Sequence, residues 1–585
     1  MTSLRRFTAF IATPSRDVPT PVIVISVCSL VLTLFLAVSG ALMVGATWDE
    51  YGLARFLQSY LDSGWFTEPT AIVNGAPDLG QIWYLNSYGP VGSLPGHVIA
   101  MAGGVDSLDS VSLSGNAFAV RHLGSVAWAI VGVASVAFAA RLVLRSWRWA
   151  VLAAAVLASV PLWVGHGMFN PKDIPVAAAY SLAMLAATAM CVAPPSGTNV
   201  RRRLLIAALL AVALVAAAGT RPFAGIMIAL SVVGALVFRL FWSWWARLPT
   251  RRLWTPFLDV AGASIAAYVI LLAIYPRLFS DPIALGVGAY LEARQFAFNE
   301  YLITAGQWLS QPAPPWYLPV WFAAQLPLLV FIGSLVGVVA WLARLLRRPE
   351  PGDPSGPREV LGLMPWVIQA FGALTLAIVG GAVVYNGSRQ YLFAVPAFAL
   401  LATFAIASVA RWGARRQFDR RFAVAYWVVV SVGLLVPVIG QVQLHPYSYV
   451  YYNAGTTAIA PIDGAWPTDY WRAGARELWS LVPADGDEGC AYEQGLWGRR
   501  APCSKEQMFI PYQAERGLNA RAVATMPESI WLIRENQGVV APPAGCRIAD
   551  EITRRNLWQS ITIGQVLECS KDVPFESFAY PPPGK

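Results

Sequence analysis

Long apolar runs, each cut by a short polar or basic stretch, set the pattern of this 585-residue chain. A helix needs about 20 consecutive apolar residues to cross a bilayer, and eleven runs are read as spans. They fall at about 21–46, 117–140, 149–166, 174–193, 204–218, 223–243, 256–275, 318–343, 360–384, 391–410 and 422–441. Arginine clusters fill alternate gaps: Arg141 to Arg148, Arg201 to Arg203, Arg247 to Arg252, Arg344 to Arg348 and Arg411 to Arg421. Basic residues in short loops mark the cytoplasmic side, so these gaps and the N-terminal tail are expected inside. The other gaps are then external, including two long segments, 47–115 and 276–317, and all of 443–585. Tyr51 to Tyr60 has the periodicity of an amphipathic helix lying along the interface.

Composition narrows the class. The chain is 56% hydrophobic and 13% charged, against about a quarter charged in soluble domains. A net charge of +9 would suit a nucleic acid, but the arginines lie between apolar spans and report orientation instead. No nucleic-acid partner is expected. The run Val22 to Val44 is too long for a signal-peptide core and lacks a convincing cleavage site, so it reads as a retained first helix. The expected fold is an α-helical polytopic membrane protein with about 11 transmembrane helices, external juxtamembrane helices and a small C-terminal α/β domain. Residues 1–442 form the membrane part and 443–585 the extracytoplasmic domain, placed in the cytoplasmic (plasma) membrane.

The tail carries four of the six cysteines, Cys490, Cys503, Cys546 and Cys569. An even number on the outer side reads as disulfides, and proximity suggests Cys490–Cys503 and Cys546–Cys569, although four cysteines allow three pairings. No Cys-x-x-Cys pair points to zinc. Ser529 to Ile533 and Ser560 to Ile563 alternate like strands. Neither a repeat nor an inverted-repeat symmetry of the transporter kind is evident.

Candidate chemistry gathers at the external helix ends. Lys172 is the sole lysine before Lys505, and it stands beside Asp173 in the turn Asn170-Pro171-Lys172-Asp173. His97, His122, His166, His445, Asp49, Glu50, Arg221, Arg294 and Arg389 fall on the same side. Ionisable groups at membrane depth cost roughly 2.5–3.5 kcal/mol each, so one shared external cavity would explain the set. The plainer alternative is that each caps a helix or snorkels to headgroups. Asp49 or Glu50 can serve as a general base towards a hydroxyl, or as a first-turn acid of the helix that follows. Lys172 at a helix N-terminus suits a phosphate, or only ties the turn to Asp173. Arg221 and Arg389 are candidates to share that phosphate, with Asp173, His166 and Asn170 in support. Tyr447, Tyr451, Tyr452 and Asn453 belong to an aromatic stretch that either forms an interfacial belt or lines a carbohydrate or lipid cleft. Asp49, Glu50 and Asp173 would hold a divalent ion only if they converged. The expectation is no metal and no cofactor, since Lys172 already serves a phosphate.

Three features together resemble the GT-C glycosyltransferase superfamily. They are the Asp49-Glu50 pair closing the first helix, the Asn170-Pro171-Lys172-Asp173 turn, and His445-Pro446-Tyr447 through Tyr452-Asn453 with the trailing Asp469-Tyr470-Trp471. The nearest branch is the clan of protein O-mannosyltransferases and lipid A aminoarabinose transferases, and the resemblance covers about residues 20–475. It implies a polyprenyl-phosphate-linked sugar donor and a first-loop aspartate as catalytic base, here Asp49 with Glu50 beside it. The acceptor would be a hydroxyl of a glycan, lipid or protein. The cysteine-bearing tail departs from the clan's pattern. The absence of a Gly-rich nucleotide loop suits a lipid-linked donor. A transporter or flippase for a lipid-linked or anionic substrate is the alternative, and a scaffold or receptor with an external sensing domain is a third.

Overall fold

The computed structural model describes residues 17–47, 49–50, 53–54, 57, 61, 88–105, 115–193, 199–248, 254–274, 302–349, 355–481, 490–493, 529–535, 538 and 541–570. Among them nine helices are long and apolar enough to cross a membrane, or ten if the bent pair Trp147–Ala158 and Pro161–Phe169 makes one span. Val200–Ala218, which opens with Arg201, Arg202 and Arg203, stands outside that count. Each of the eleven runs read from the sequence has its helix, and the chain is a multi-pass membrane protein.

Proline explains the bend. The residue before a proline is pushed out of the helical region, and Val160 lies at φ −77°, ψ 108°. The resulting 70° break lays Pro161–Phe169 against the segment Ser448–Val450. Their approach is so close that a Cβ on Gly165 would stand 2.1 Å from the Tyr449 backbone nitrogen. Only glycine fits there.

Two helices sit centrally. Asp173–Cys191 has 89% of its apolar stretch buried and Arg389–Arg415 has 83%, against 17–44% for the other spans. The first is rich in alanine, and small side chains let neighbouring backbones approach. Its polar groups find partners, as buried polar groups must. The Thr188 hydroxyl donates to the Gly362 carbonyl at 3.0 Å, and the Gln369 amide to Ser181 at 3.2 Å. At the arginine-bearing ends, Arg203 pairs with Asp259 at 2.6 Å, and buried Glu359 takes both Arg344 at 2.7 Å and Arg411.

Small sheets complete the fold. β1 (Leu302–Thr304) and β2 (Gln307–Leu309) form a hairpin. In the tail, β3 (Cys490–Glu493), β4 (Ser529–Glu535), β5 (Cys546–Asn556) and β6 (Gln559–Ser570) pair in the order β3-β4-β6-β5, parallel only between β3 and β4. Both expected strands are present, as β4 and β6. So is the Cys546–Cys569 disulfide, which joins directly paired positions of β5 and β6. Cys503 and the side chain of Cys490 lie outside the described residues, and that expected pairing with them.

The tail is stitched to the membrane helices. β5 packs on Arg420–Leu444, the Leu557 amide donates to Gln443 at 2.9 Å, and the Asn556 amide to the Tyr452 carbonyl at 3.1 Å. Of the expected interfacial helix, the described Leu53, Ala54 and Leu57 are helical and buried. Its other positions between Tyr51 and Tyr60 lie outside the described residues, as does Arg294.

Candidate functional site at the Asn170–Asp173 turn

The site begins with a helix start. The carboxylate of Glu50 accepts the Thr47 backbone N–H at 2.7 Å and the Thr47 hydroxyl at 2.9 Å. Three residues separate them, the spacing at which an acid reaches back to close a capping box. The other Glu50 oxygen meets Nε2 of buried His122 at 2.8 Å, while the His122 Nδ1 lies 2.8 Å from the Ala41 carbonyl. Glu50 is therefore consumed in holding the helix start against its neighbours. Glu50→Gln is expected to cost about 1–3 kcal/mol, through the loss of a charged acceptor for Thr47 and His122, and to leave turnover near wild type. Thermal melts beside activity assays check it, and a loss as deep as that of an Asp49 variant would give Glu50 a direct part.

Asp49, one residue earlier, takes a different partner: it forms an ion pair with Lys172. The sequence separates the two by more than a hundred residues. What joins them is the packing of the first helix beside Pro161–Phe169, which brings its C-terminal end to the Asn170–Asp173 turn. Lys172 is nearly buried. Its Nζ lies 3.4 Å from the Tyr88 hydroxyl, 4.8 Å from the Tyr88 ring centre and 5.1 Å from that of Trp471. Burial opposes the ammonium charge, but Asp49, Tyr88 and Asp173 outweigh it, and the pKa lies above the ordinary lysine value. Lys172 is a committed cation.

Asn170 ties the turn. Its Oδ1 accepts the backbone N–H of Lys172 at 3.2 Å and of Asp173 at 2.9 Å, capping the helix Asp173–Cys191. Its amide donates to Asp173 Oδ2 at 2.9 Å and lies 3.3 Å from His166 Nδ1. The far nitrogen of His166 is 3.0 Å from the Tyr470 hydroxyl. With no exposed surface, His166 braces the turn from below.

Asp173 does not pair with Lys172. Arg221 donates to its Oδ1 at 2.6 Å and Arg389 to its Oδ2 at 3.1 Å. Arg389 is 1% exposed, its guanidinium 3.5 Å from the Trp471 ring centre and 5.4 Å from that of Tyr385. Arg221 faces Tyr88 at 5.2 Å. Among the described residues, Lys172, Arg221 and Arg389 are thus three cations against the two carboxylates Asp49 and Asp173, an excess of one positive charge. Aromatic faces attract cations, so Tyr88, Tyr385 and Trp471 hold this excess in place.

Tyr447, Tyr451, Tyr452 and Asn453, read as a cleft or a belt, are each 0–1% exposed and packed against protein. The Tyr447 hydroxyl donates to Glu477 at 2.7 Å, and that of Tyr452 to the Pro467 carbonyl at 2.7 Å. Asn453 caps the short helix Ala454–Ile459 and donates to the carbonyls of Ala323 and Leu326. They fasten the tail to the membrane part. Nothing in the sequence singles out Tyr88 or Tyr385, and Trp471 stands out only within a motif, since aromatic residues make up 12% of the chain. Among the described residues, no group of three or more His, Cys, Asp or Glu side chains comes together.

No family model matches the chain, and no curated protein matches its sequence. Among solved structures it is similar to the oligosaccharyltransferase AglB from Archaeoglobus fulgidus in complex with an inhibitory peptide and a dolichol-phosphate. That likeness has a TM-score of 0.45 at 14% identity, over 71% of this chain and 55% of that one. It is also similar to ArnT from Cupriavidus metallidurans bound to undecaprenyl phosphate, with a TM-score of 0.43 at 14% identity over 95% and 99% of the two chains. The chain spans about half the length of the archaeal enzyme, 55%. Scores below 0.5 add no weight to a functional reading, which rests on the residues.

Proposed function

We propose that the chain is a membrane glycosyltransferase that moves a hexosyl or pentosyl group from a polyprenyl-phosphate-linked donor to an acceptor hydroxyl. The observation that carries the reading is the contact of Asp49 with Lys172 inside a network holding one surplus cation. A phosphodiester linking lipid to sugar brings one negative charge and matches that surplus. The acceptor oxygen attacks the anomeric carbon, its proton passes to Asp49, and the bond from that carbon to the phosphate oxygen breaks. The departing phosphate gains a second negative charge, which Lys172, Arg221 and Arg389 meet. Preorganised charge aimed at a leaving group is commonly the largest catalytic term.

The motif resemblance to the GT-C clan supports the same donor and the same base. No divalent ion enters the proposal, because each carboxylate already has a cationic or capping partner: Asp49 has Lys172, Glu50 has His122 and Thr47, and Asp173 has two arginines. The site would face the outside of the cytoplasmic membrane, with residues 443–585 as its extracytoplasmic cover and a glycan, lipid or protein as acceptor. Purified protein given radiolabelled polyprenyl-phosphate sugar and a membrane extract holding acceptors is expected to release polyprenyl phosphate and label the extract. Movement of intact donor across a vesicle bilayer without release would overturn the enzyme reading in favour of a flippase.

A further inference from the structure

The turn that presents Trp471 is built more firmly than a loop cover requires. Asp469 accepts the backbone N–H groups of Ala473 at 2.9 Å and Gly474 at 2.8 Å, and the Tyr449 hydroxyl donates to the same carboxylate. The turn is bonded in its own right to the segment leading to Asp49. The Gly45 N–H donates to the Ala473 carbonyl at 2.9 Å, and Arg472 to the Ala46 carbonyl at 3.1 Å. Trp471 is 3% exposed, and its ring lies against both Arg389 and Lys172. Its indole Nε1 is buried and has no hydrogen-bond partner among the described residues. A buried N–H without an acceptor is costly and calls for an explanation. Here the ring that carries it is held against two cations, in a network that among the described residues is short of one anion.

We infer that Trp471 is a further substrate-contacting residue, whose indole N–H donates to a non-bridging oxygen of the donor phosphate while its ring face steadies Arg389 and Lys172. The inference rests on the proposed function, and it adds a neutral donor that a seated anion would satisfy. An anion drawn in by the cations would thereby be oriented as well as attracted, since a single N–H fixes one oxygen where point charges do not.

Two replacements separate the N–H from the ring. Trp471→Phe keeps an aromatic face, and Trp471→benzothienylalanine keeps the whole bicyclic shape with sulfur in place of N–H. Binding of polyprenyl phosphate without sugar is then titrated, beside the melting temperature. Both variants are expected to bind about 10–100-fold more weakly, the range for one hydrogen bond to a charged group, with the benzothienyl variant melting like wild type. Wild-type binding by the benzothienyl variant overturns the inference, whatever the phenylalanine variant does. Loss confined to sugar-bearing donor, with polyprenyl phosphate unaffected, overturns it too and moves the contact to the sugar. If wild-type protein binds no polyprenyl phosphate, the proposed function itself fails and the inference with it.

Discussion

Asp49→Asn is expected to lower turnover about 10²–10⁴-fold, the usual cost of losing a general base, while polyprenyl-phosphate binding survives. The change removes proton affinity with little change of volume. Because Asp49 is the anion paired with Lys172, its neutralisation also frees that ammonium, and binding of lipid phosphate should tighten rather than weaken. Opposite movement of turnover and affinity in one variant distinguishes a lost base from a damaged fold. Near-normal transfer would end the assignment. Neither Asp173 nor His166 is a ready substitute: two arginines and Asn170 hold the former, and the latter is buried between Asn170 and Tyr470.

Lys172→Ala carries the second large effect. Donor binding should weaken about 10–100-fold, as for one charge-assisted hydrogen bond. Transfer should slow further, because the contact strengthens as charge develops on the leaving oxygen. Lys172→Arg is expected to rescue only partly: the planar fork cannot occupy the compact space an ammonium holds between Asp49, Tyr88 and Trp471. Since Asp49 and Lys172 touch, the double variant should lose less than the product of the single losses. Steady-state kinetics over donor concentration, with phosphate binding measured separately, give both numbers. An unchanged donor KM in Lys172→Ala would remove Lys172 from the phosphate site and leave Arg221 and Arg389 to carry it.

Part of the site is legible in the amino-acid sequence. Asp49, Lys172, Arg221 and Arg389 stand out because they are isolated charges at the ends of apolar runs, away from the arginine clusters, where an ionisable group is costly without a partner. How they divide the work is not legible there. Glu50 and Asp49 are adjacent and chemically alike, yet one closes a capping box with Thr47 and the other reaches Lys172. The Tyr447–Asn453 stretch is equally ambiguous, because tyrosines suit a cleft, a belt or a core. Burial alone decides among these, and here it makes them core.

By itself the sequence determined which apolar runs become helices, nine or ten of them long enough to span among the described residues, the clustering of arginine in alternate gaps and the strands β4 and β6. These follow from local quantities: the length of an apolar run against the thickness of a bilayer, the cost of moving a charge through it, and the alternation of side chains along a strand. Tertiary structure alone decided that Asp173 belongs to Arg221 and Arg389, that Lys172 belongs to Asp49, and that Trp471 lies against two of the cations. Such partners come from helices far apart in the chain. The pairing depends on which helices are neighbours and on how Val160-Pro161 bends one of them, and no local run of residues encodes either.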